Sequence, residues 1–272
     1  MNISSADADY VRDLVHSRSA IVLDASKTYL IESRLVPVAR QRGLQDLGEL
    51  VAQLRREPRG PLQDVVVDAM TTNETSFFRD PNLWNGLRDH VLPEIIAARR
   101  SSRSLNLWSA ACSSGQEPYS LAMMLLDRFP EVHDWNVRIL ATDLSAEMLG
   151  RAAAGRYSQL EVNRGLPAPS LVKHFTRDGA TWQISDRIRQ MVEFRMVNLI
   201  EPWPFIPAID VLLCRNVLIY FDLPTKQRIL ARCGEVLRPD GFLILGGSET
   251  TLNVDDRYER IPAGTATGYR PR

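Results

Sequence analysis

Five short segments hold the side chains best suited to chemistry: Thr71–Arg79, Ser109–Gly115 with Glu117 just beyond it, Asp143, Asn198-Leu199 and Arg215-Asn216. Small residues dominate the second (Ser109-Ala110-Ala111-Cys112-Ser113-Ser114-Gly115). It follows a short apolar run and precedes a helical pattern. A dinucleotide site there needs G-x-G-x-x-G, because the backbone must approach a pyrophosphate closely. Gly115 is the lone glycine in the turn, which suits a nucleoside ligand without pyrophosphate. The N–H groups at the start of the following helix are available to that ligand. Glu117 admits two readings: a first-turn acid favoured by the helix dipole, or an acceptor for a ligand ammonium group. Asp143 also admits two: a bidentate acceptor for both hydroxyls of a ribose, or a turn or N-cap residue before the helix near Ser145.

The segments owe their common position to the elements around them. Leu105–Ala110, Val137–Thr142, Val192–Val197, Ile209–Cys214 and Phe242–Leu245 are apolar runs of strand length. Pro118–Phe129, Ser145–Ala154 and Lys226–Leu237 carry apolar residues at helical spacing. Alternation of strand and helix implies a parallel sheet with right-handed crossovers. Ligands bind beyond the carboxyl ends of such strands. One crevice therefore gathers four of the segments, and Thr71–Arg79 is placed to close over it. Pro239-Asp240-Gly241 reads as a turn into the last apolar run, and the stretch around Tyr269 as a final edge strand. Residues 156–191 or so break the alternation. Leu166–Pro169 reads as a loop, and His174-Phe175 with Thr181–Ile184 flank Asp178-Gly179 as a hairpin, so this is a small β insertion.

Ahead of the sheet, residues 7 to about 70 read as helical. Tyr10, Val11, Leu14 and Val15 recur at helical spacing. Lys27–Arg42 is a second helix interrupted by Pro37, with Gly43 as its stop, and Leu44–Arg56 and Pro61–Met70 supply two more. A further helical pattern runs from Leu83 to Ala98. The expected organisation is a helical domain over 1–72, a connecting segment over 73–90 that contributes to the site, and a sheet domain over 91–272. Phe77-Phe78 reads as a hydrophobic plug at the junction in preference to a base-stacking pair. Between Lys27 and Gly60, seven basic residues (Lys27, Arg34, Arg40, Arg42, Arg55, Arg56, Arg59) face four acidic ones. That excess is either a solvated helix face or a docking face for an acidic partner.

Composition closes off other classes. Of the 272 residues, 44% are apolar and 24% charged, ordinary globular values that exclude a disordered tail, a collagen-like chain and a coiled-coil rod. Thirty-three basic residues cancel thirty-three acidic ones, so no global field draws the chain to nucleic acid or an anionic membrane. Cys112, Cys214 and Cys233 form no C-x-x-C pair, and the four histidines no ligand-spaced cluster. Reduced thiols and no metal are expected. Leu121–Leu126, among the longest apolar runs, is far too short to span a bilayer. The polar start of the chain lacks a signal pattern, so a cytoplasmic monomer, not inserted in a membrane, is expected.

Four segments in order carry a resemblance: Asn73-Glu74-Thr75-Ser76-Phe77-Phe78-Arg79-Asp80, Trp108–Ser120, Ala141-Thr142-Asp143-Leu144-Ser145 and Cys214–Phe221. They resemble the CheR-type chemotaxis receptor methyltransferases, over essentially the whole chain from about residue 10. Leu237–Leu243 is similar to a hairpin shared by methyltransferases that use S-adenosylmethionine (SAM). The resemblance implies an α/β fold: a Rossmann-like methyltransferase sheet with a small antiparallel insertion, preceded by a small all-helical domain. It implies methyl esterification of glutamates on chemoreceptor cytoplasmic helices, with S-adenosylhomocysteine as product. It maps SAM binding to Asn73, Thr75, Arg79, Glu117, Asp143, Asn198, Leu199, Arg215 and Asn216, and places Arg79 and Tyr220 nearest the reacting end. Tyr220 alone also reads as a core aromatic beside Phe221. Receptor docking then falls to the basic helical face with Arg34, Arg40 and Arg42, and in some members the insertion grips a receptor C-terminal tail peptide. Two alternatives stand against an esterifying enzyme. One is a non-catalytic SAM-binding scaffold. The other is a nucleic-acid methyltransferase, disfavoured because Arg215-Asn216 lacks the Asn/Asp-Pro-Pro-aromatic tetrapeptide.

Overall fold

The computed structural model describes residues 3–58 and 60–272, so Arg59 of the basic stretch lies outside the described residues. The chain divides into two compact units: Met1–Thr72 with Tyr220–Thr225, and Asn73–Ile219 with Lys226–Arg272.

The first unit contains helices α1 (Ser5–Ser19), α2 (Thr28–Gln41), α3 (Leu47–Arg56) and α4 (Pro61–Met70). Their starts are written in the sequence. The Ser4 side chain accepts the Asp7 N–H, Asp46 accepts the Glu49 N–H, and Pro61 opens α4, where a missing N–H costs nothing. Val11, Val15, Ile31, Leu35, Leu50, Leu54 and Val66 are buried together as the core. α2 runs through Pro37 without interruption. Pro37 and Ser33, one turn before it, both lie on the exposed face, where water replaces the lost N–H donor.

The second unit is built on a seven-stranded sheet. Its strands are β1 (Ser104–Ala110), β2 (Asn136–Asp143), β6 (Val192–Met196), β7 (Ile209–Cys214), β8 (Leu237–Leu245), β9 (Tyr258–Ala263) and β10 (Ala266–Pro271). Their order is β6-β2-β1-β7-β8-β10-β9. The first five are parallel, and β10 runs antiparallel to both β8 and β9. The order reverses at β1, whose neighbours are β2 and β7, so the topological switch point lies between β1 and β7. Around the sheet run α5 (Pro81–Gly86), a π-helical stretch (Leu87–Val91), α6 (Leu92–Arg99), α7 (Gln116–Arg128), α8 (Ala146–Ala154) and α12 (Leu223–Val236). Between β2 and β6 the insertion forms its own antiparallel sheet, β3 (Arg156–Ser158), β4 (Phe175–Asp178) and β5 (Thr181–Ile184), in the order β3-β5-β4. Three short helices accompany it: α9 (Gln159–Asn163), α10 (Ala168–His174) and α11 (Asp186–Arg189).

Four further expectations need correcting. The Tyr269 strand pairs with β8 but is not the edge, because β9 covers its other side. Leu166–Pro169 is not all loop: α10 starts at Ala168, and Pro169 sits in its first turn, a position that needs no N–H donor. Pro239-Asp240-Gly241 lies inside β8 as a bulge, since Ile209 pairs with Leu237 but Val211 already pairs with Phe242. Phe77 is not a plug at a domain junction. It is buried in the core of the second unit, edge-to-face with Tyr157 of β3 at 5.0 Å and Phe175 of β4 at 5.6 Å.

Candidate functional site

The turn from β1 into α7 is unusual in its backbone. Ala111, Ser113 and Gly115 have φ of 56°, 50° and 92°, the left-handed region that residues with a Cβ rarely enter. Ala111 and Ser113 carry the cost of a Cβ there, and glycine removes it at the N-cap of α7. Gly115 also meets a close approach: a Cβ there would lie 2.9 Å from the Ala152 methyl. Tyr157 holds the turn from the insertion side by donating its hydroxyl to the Ser114 carbonyl at 2.8 Å. Burial pushes the Tyr157 hydroxyl far up, so it remains a donor at every physiological pH.

Asp143 ends β2 and is 7% exposed. One carboxylate oxygen accepts the Ser113 N–H at 2.7 Å, and the other accepts the Ser145 N–H at 2.9 Å. The N-cap of α8 is Ser145, so Asp143 is the turn residue, and it ties the β2 loop to the β1 loop. A carboxylate has about four acceptor sites, so these two bonds are compatible with a ribose diol.

Arg215 follows β7 with only 2% of its side chain exposed. Its Nη1 donates to Glu117 at 2.7 Å, and its Nη2 to Asp80 at 2.5 Å and to the Arg79 carbonyl at 3.0 Å. Its Nε is buried and has no acceptor. The other oxygen of Glu117 accepts the Ser109 hydroxyl at 2.7 Å. Glu117 is thus the counter-ion of Arg215, which neither reading of the sequence contained.

The 73–80 segment is fastened to the same strand ends. The Asn73 carbonyl accepts the Ser113 hydroxyl at 2.8 Å, the Phe78 N–H donates to Ser120 at 3.0 Å, and Arg79 donates to the Glu74 carbonyl at 3.0 Å. Glu74 also takes Arg164 of the insertion at 2.7 Å. That hydrogen bond, with the charges of Arg164 and Arg79, holds its carboxyl below the ordinary value. Thr75 is half-buried in the same stretch. Gly165 permits the closest approach, since a Cβ there would be 2.1 Å from the Phe77 carbonyl oxygen.

Asn198 and Leu199 follow β6, where the Val197 N–H donates to the Asp143 carbonyl at 3.0 Å. The Leu199 carbonyl accepts the Trp203 indole at 3.2 Å, and Trp203 stacks edge-to-face on Trp108 of β1. Asn216 is left-handed with φ 57°, and its N–H donates to Glu249 at 2.7 Å. Sequence reasoning missed Glu249 because it follows a strand whose own end carried no motif.

The remaining residues fall elsewhere. Tyr220 is half-buried and groups by contacts with the helical unit, where its carbonyl accepts the Val22 N–H at 2.9 Å. In that unit Arg34 donates to the Met70 and Thr71 carbonyls at 2.7 and 2.9 Å. It therefore caps the end of α4, whereas Arg40 and Arg42 are exposed. Burial, reinforced by the charges of Asp143 and Glu117, pushes the Cys112 thiol up. A hydrogen bond with Cys233 and burial do the same for Cys214. Both stay protonated and are poor nucleophiles. Among the described residues, no group of three or more His, Cys, Asp or Glu side chains is placed to hold a metal ion, and no helix is long and apolar enough to cross a membrane.

Comparison with known proteins decides the family. Residues 73–267 match the CheR methyltransferase SAM binding domain, and residues 6–71 match the CheR methyltransferase all-alpha domain. The chain belongs to the CheR methyltransferase family. It is similar to chemotaxis protein methyltransferase 1 of Pseudomonas aeruginosa, at 42% identity over 277 residues covering all of both chains. It is also similar to chemotaxis protein methyltransferase Cher2 of Pseudomonas putida, at 39% identity over all of both chains. A chemotaxis protein methyltransferase of Vibrio anguillarum is 38% identical over 98% of each.

CheR membership makes the chain a SAM-dependent methyltransferase, and the strand ends fit that cofactor. The buried Arg215 Nε is a donor in want of an acceptor, and unpaired buried donors are costly unless a ligand satisfies them. The buried Asp143 carboxylate and the small-residue turn match a ribose and a close-lying nucleoside.

Proposed function

We propose that this chain transfers the methyl group of SAM to glutamate carboxylates on the cytoplasmic helices of chemoreceptors, forming glutamyl methyl esters. The observation that carries the reading is the buried Arg215, framed by Glu117 and Asp80 with one donor unpaired, at the switch point of a CheR-family sheet. SAM supplies an electrophilic sulfonium methyl when bound. In this reading Asp143 takes the ribose hydroxyls, and Asn73, Thr75, Glu117, Asn198, Leu199, Arg215 and Asn216 line the cofactor. The acceptor glutamate has an ordinary pKa of about 4.3, so it is already ionised at neutral pH and needs no general base. That agrees with the absence of histidine from the motif segments. The residues contribute by alignment of two bound reactants. Arg79 holds a carboxylate, and the Tyr220 hydroxyl orients the attacking oxygen. Attack neutralises charge, so exclusion of water favours it.

The acceptor helices are acidic, and the exposed Arg40 and Arg42 give the helical domain a matching charge that raises the encounter rate. Arg34 supports this face by holding the end of α4. The insertion leaves β3 and β4 as edge strands, either of which can take a receptor tail peptide as an added strand. The enzyme acts in the cytoplasm as a monomer.

Incubation with methyl-labelled SAM and receptor cytoplasmic fragments, with and without their tails, tests the reading. Base-labile label on the fragment is expected. SAM binding with no label on any fragment marks a non-catalytic SAM-binding protein instead.

A further inference from the structure

Four backbone N–H groups converge on the Glu249 carboxylate. One oxygen accepts the N–H groups of Asn216 and Gly246, both at 2.7 Å. The other accepts those of Val217 at 3.0 Å and Ile219 at 3.3 Å. Three of these donors belong to the loop after β7 and the fourth to the loop after β8. The Glu249 N–H in turn donates to the Gly246 carbonyl at 2.9 Å, which closes the turn that presents the carboxylate. A Cβ on Gly246 would lie 2.7 Å from both the Glu249 oxygen and the Asn216 amide nitrogen, and 3.0 Å from the Asn216 N–H nitrogen. Glycine is required there for the carboxylate to reach its donors.

The arrangement bears on the site through Asn216. Its φ of 57° is a strained conformation for a residue with a Cβ and is held by its surroundings. A carboxylate accepting the N–H groups of residues 216, 217 and 219 holds it. The charge-assisted bonds are roughly twice as strong as neutral ones. Glu249 itself is only half-buried, and Asn216 and Arg215 are adjacent.

We propose that Glu249 is a positioning residue for cofactor binding. It holds Asn216 in the left-handed conformation that presents its side chain to the cofactor, without itself touching the cofactor. This rests on the proposed SAM site, and it adds a residue from the end of β8 to a site otherwise drawn from the 73–80 segment and the ends of β1, β2, β6 and β7. A glutamine at 249 presents one oxygen and one NH2 group, so it can accept only half of the four donors and sets its own hydrogens against the rest.

The test is calorimetric titration of S-adenosylhomocysteine into wild-type protein, Glu249→Gln, Asn216→Ala and the double variant. Glu249→Gln is expected to weaken binding at least 10-fold. In the Asn216→Ala background the same change should weaken it less than 2-fold, because its route of action is already broken. KM for SAM should rise while KM for the receptor fragment stays constant. Equal affinity of Glu249→Gln and wild type overturns the proposal, and so does a full 10-fold loss in both backgrounds, which marks a general structural role. If Glu249→Gln does not fold, Glu249→Asp and Gly246→Ala, which shift the carboxylate without discharging it, take its place under the same criteria. Wild-type protein that fails to bind S-adenosylhomocysteine sinks the SAM site itself, a separate outcome from either of these.

Discussion

The two ends of the parallel sheet each bury an arginine among carboxylates, and they do so differently. At the amino ends of the strands, Arg99 donates through Nε to Asp210 at 2.6 Å and through both Nη atoms to Asp240 at 2.8 and 2.5 Å. Asp210 also accepts the Asn106 N–H at 2.7 Å. Every nitrogen of that guanidinium has a partner, and Asp240 and Asp210 hold it all the more firmly protonated. At the carboxyl ends, Arg215 has two carboxylates and a carbonyl, and its Nε has nothing. Left-handed residues other than glycine occur at both ends, and Arg103 with φ of 48° directly precedes β1. Ala111, Ser113 and Asn216 lie in the loops at the carboxyl ends of β1 and β7. At the amino ends the buried Arg238 Nε, also without a hydrogen bond, lies 3.2 Å from the Asp210 carboxylate, whereas the Arg215 Nε adjoins the left-handed turns at the carboxyl ends, where a ligand can meet it.

The comparison breaks most readily at Arg99. Arg99→Met leaves the buried Asp210 carboxylate short of its principal counter-ion, and loss of one partner of a buried pair costs about 3–5 kcal/mol. Chemical unfolding should show that loss, while S-adenosylhomocysteine affinity of the protein that remains folded is unchanged. An affinity loss as large as the stability loss would erase the distinction between the two ends. Next in size is Asp143→Ala. Removal of the ribose acceptor, with the Ser113 and Ser145 N–H groups left bare, should weaken S-adenosylhomocysteine binding roughly 100-fold, or about 2.7 kcal/mol. Unchanged affinity by calorimetry would refute the ribose role.

Much of this division is legible in the sequence. Each parallel strand holds a local apolar run, and the chemistry-bearing residues sit directly after Ala110, at Asp143 and directly after Cys214, so a rule about strand ends gathers them. What is not legible depends on contacts between distant segments. Glu117 and Arg215 are 98 residues apart in the chain, and Arg215 and Asp80 are 135 apart. Each has a sufficient local reading alone, such as the first-turn acid at Glu117. Glu249 carries no periodic or motif signal, since its partners are backbone groups. The short helices α9 to α11 fall below the length at which helical periodicity shows, and the bulge at Pro239-Asp240-Gly241 looks like a turn because its residues are turn residues.

Smaller effects sharpen the contrast between the cofactor end and surfaces remote from it. Paired reversal, Arg40→Glu with Arg42→Glu, should slow receptor-fragment methylation roughly 5-fold at low salt, with the deficit shrinking as salt rises. S-adenosylhomocysteine affinity should not move, and an unaltered rate at low salt would discredit the docking face. The smallest effect concerns the insertion. Burial works against the Asp127 carboxylate, but hydrogen bonds from Lys173 and His174 outweigh it and hold its carboxyl below the ordinary 3.8. A depressed folded-state pKa contributes stability that is present above 3.8 and is lost as pH falls through the lower, folded value. Hydrogen exchange followed down to that range should show protection of α10 falling, by well under a factor of 10, and Asp127→Asn should flatten the dependence.

The most direct measurement is a crystal structure of the protein with S-adenosylhomocysteine. The product should lie across the carboxyl ends of β1, β2 and β7, its ribose on Asp143 and an acceptor atom within hydrogen-bond distance of the Arg215 Nε. Density for the product at any other place, or the Arg215 Nε still unpaired in the complex, would contradict the account.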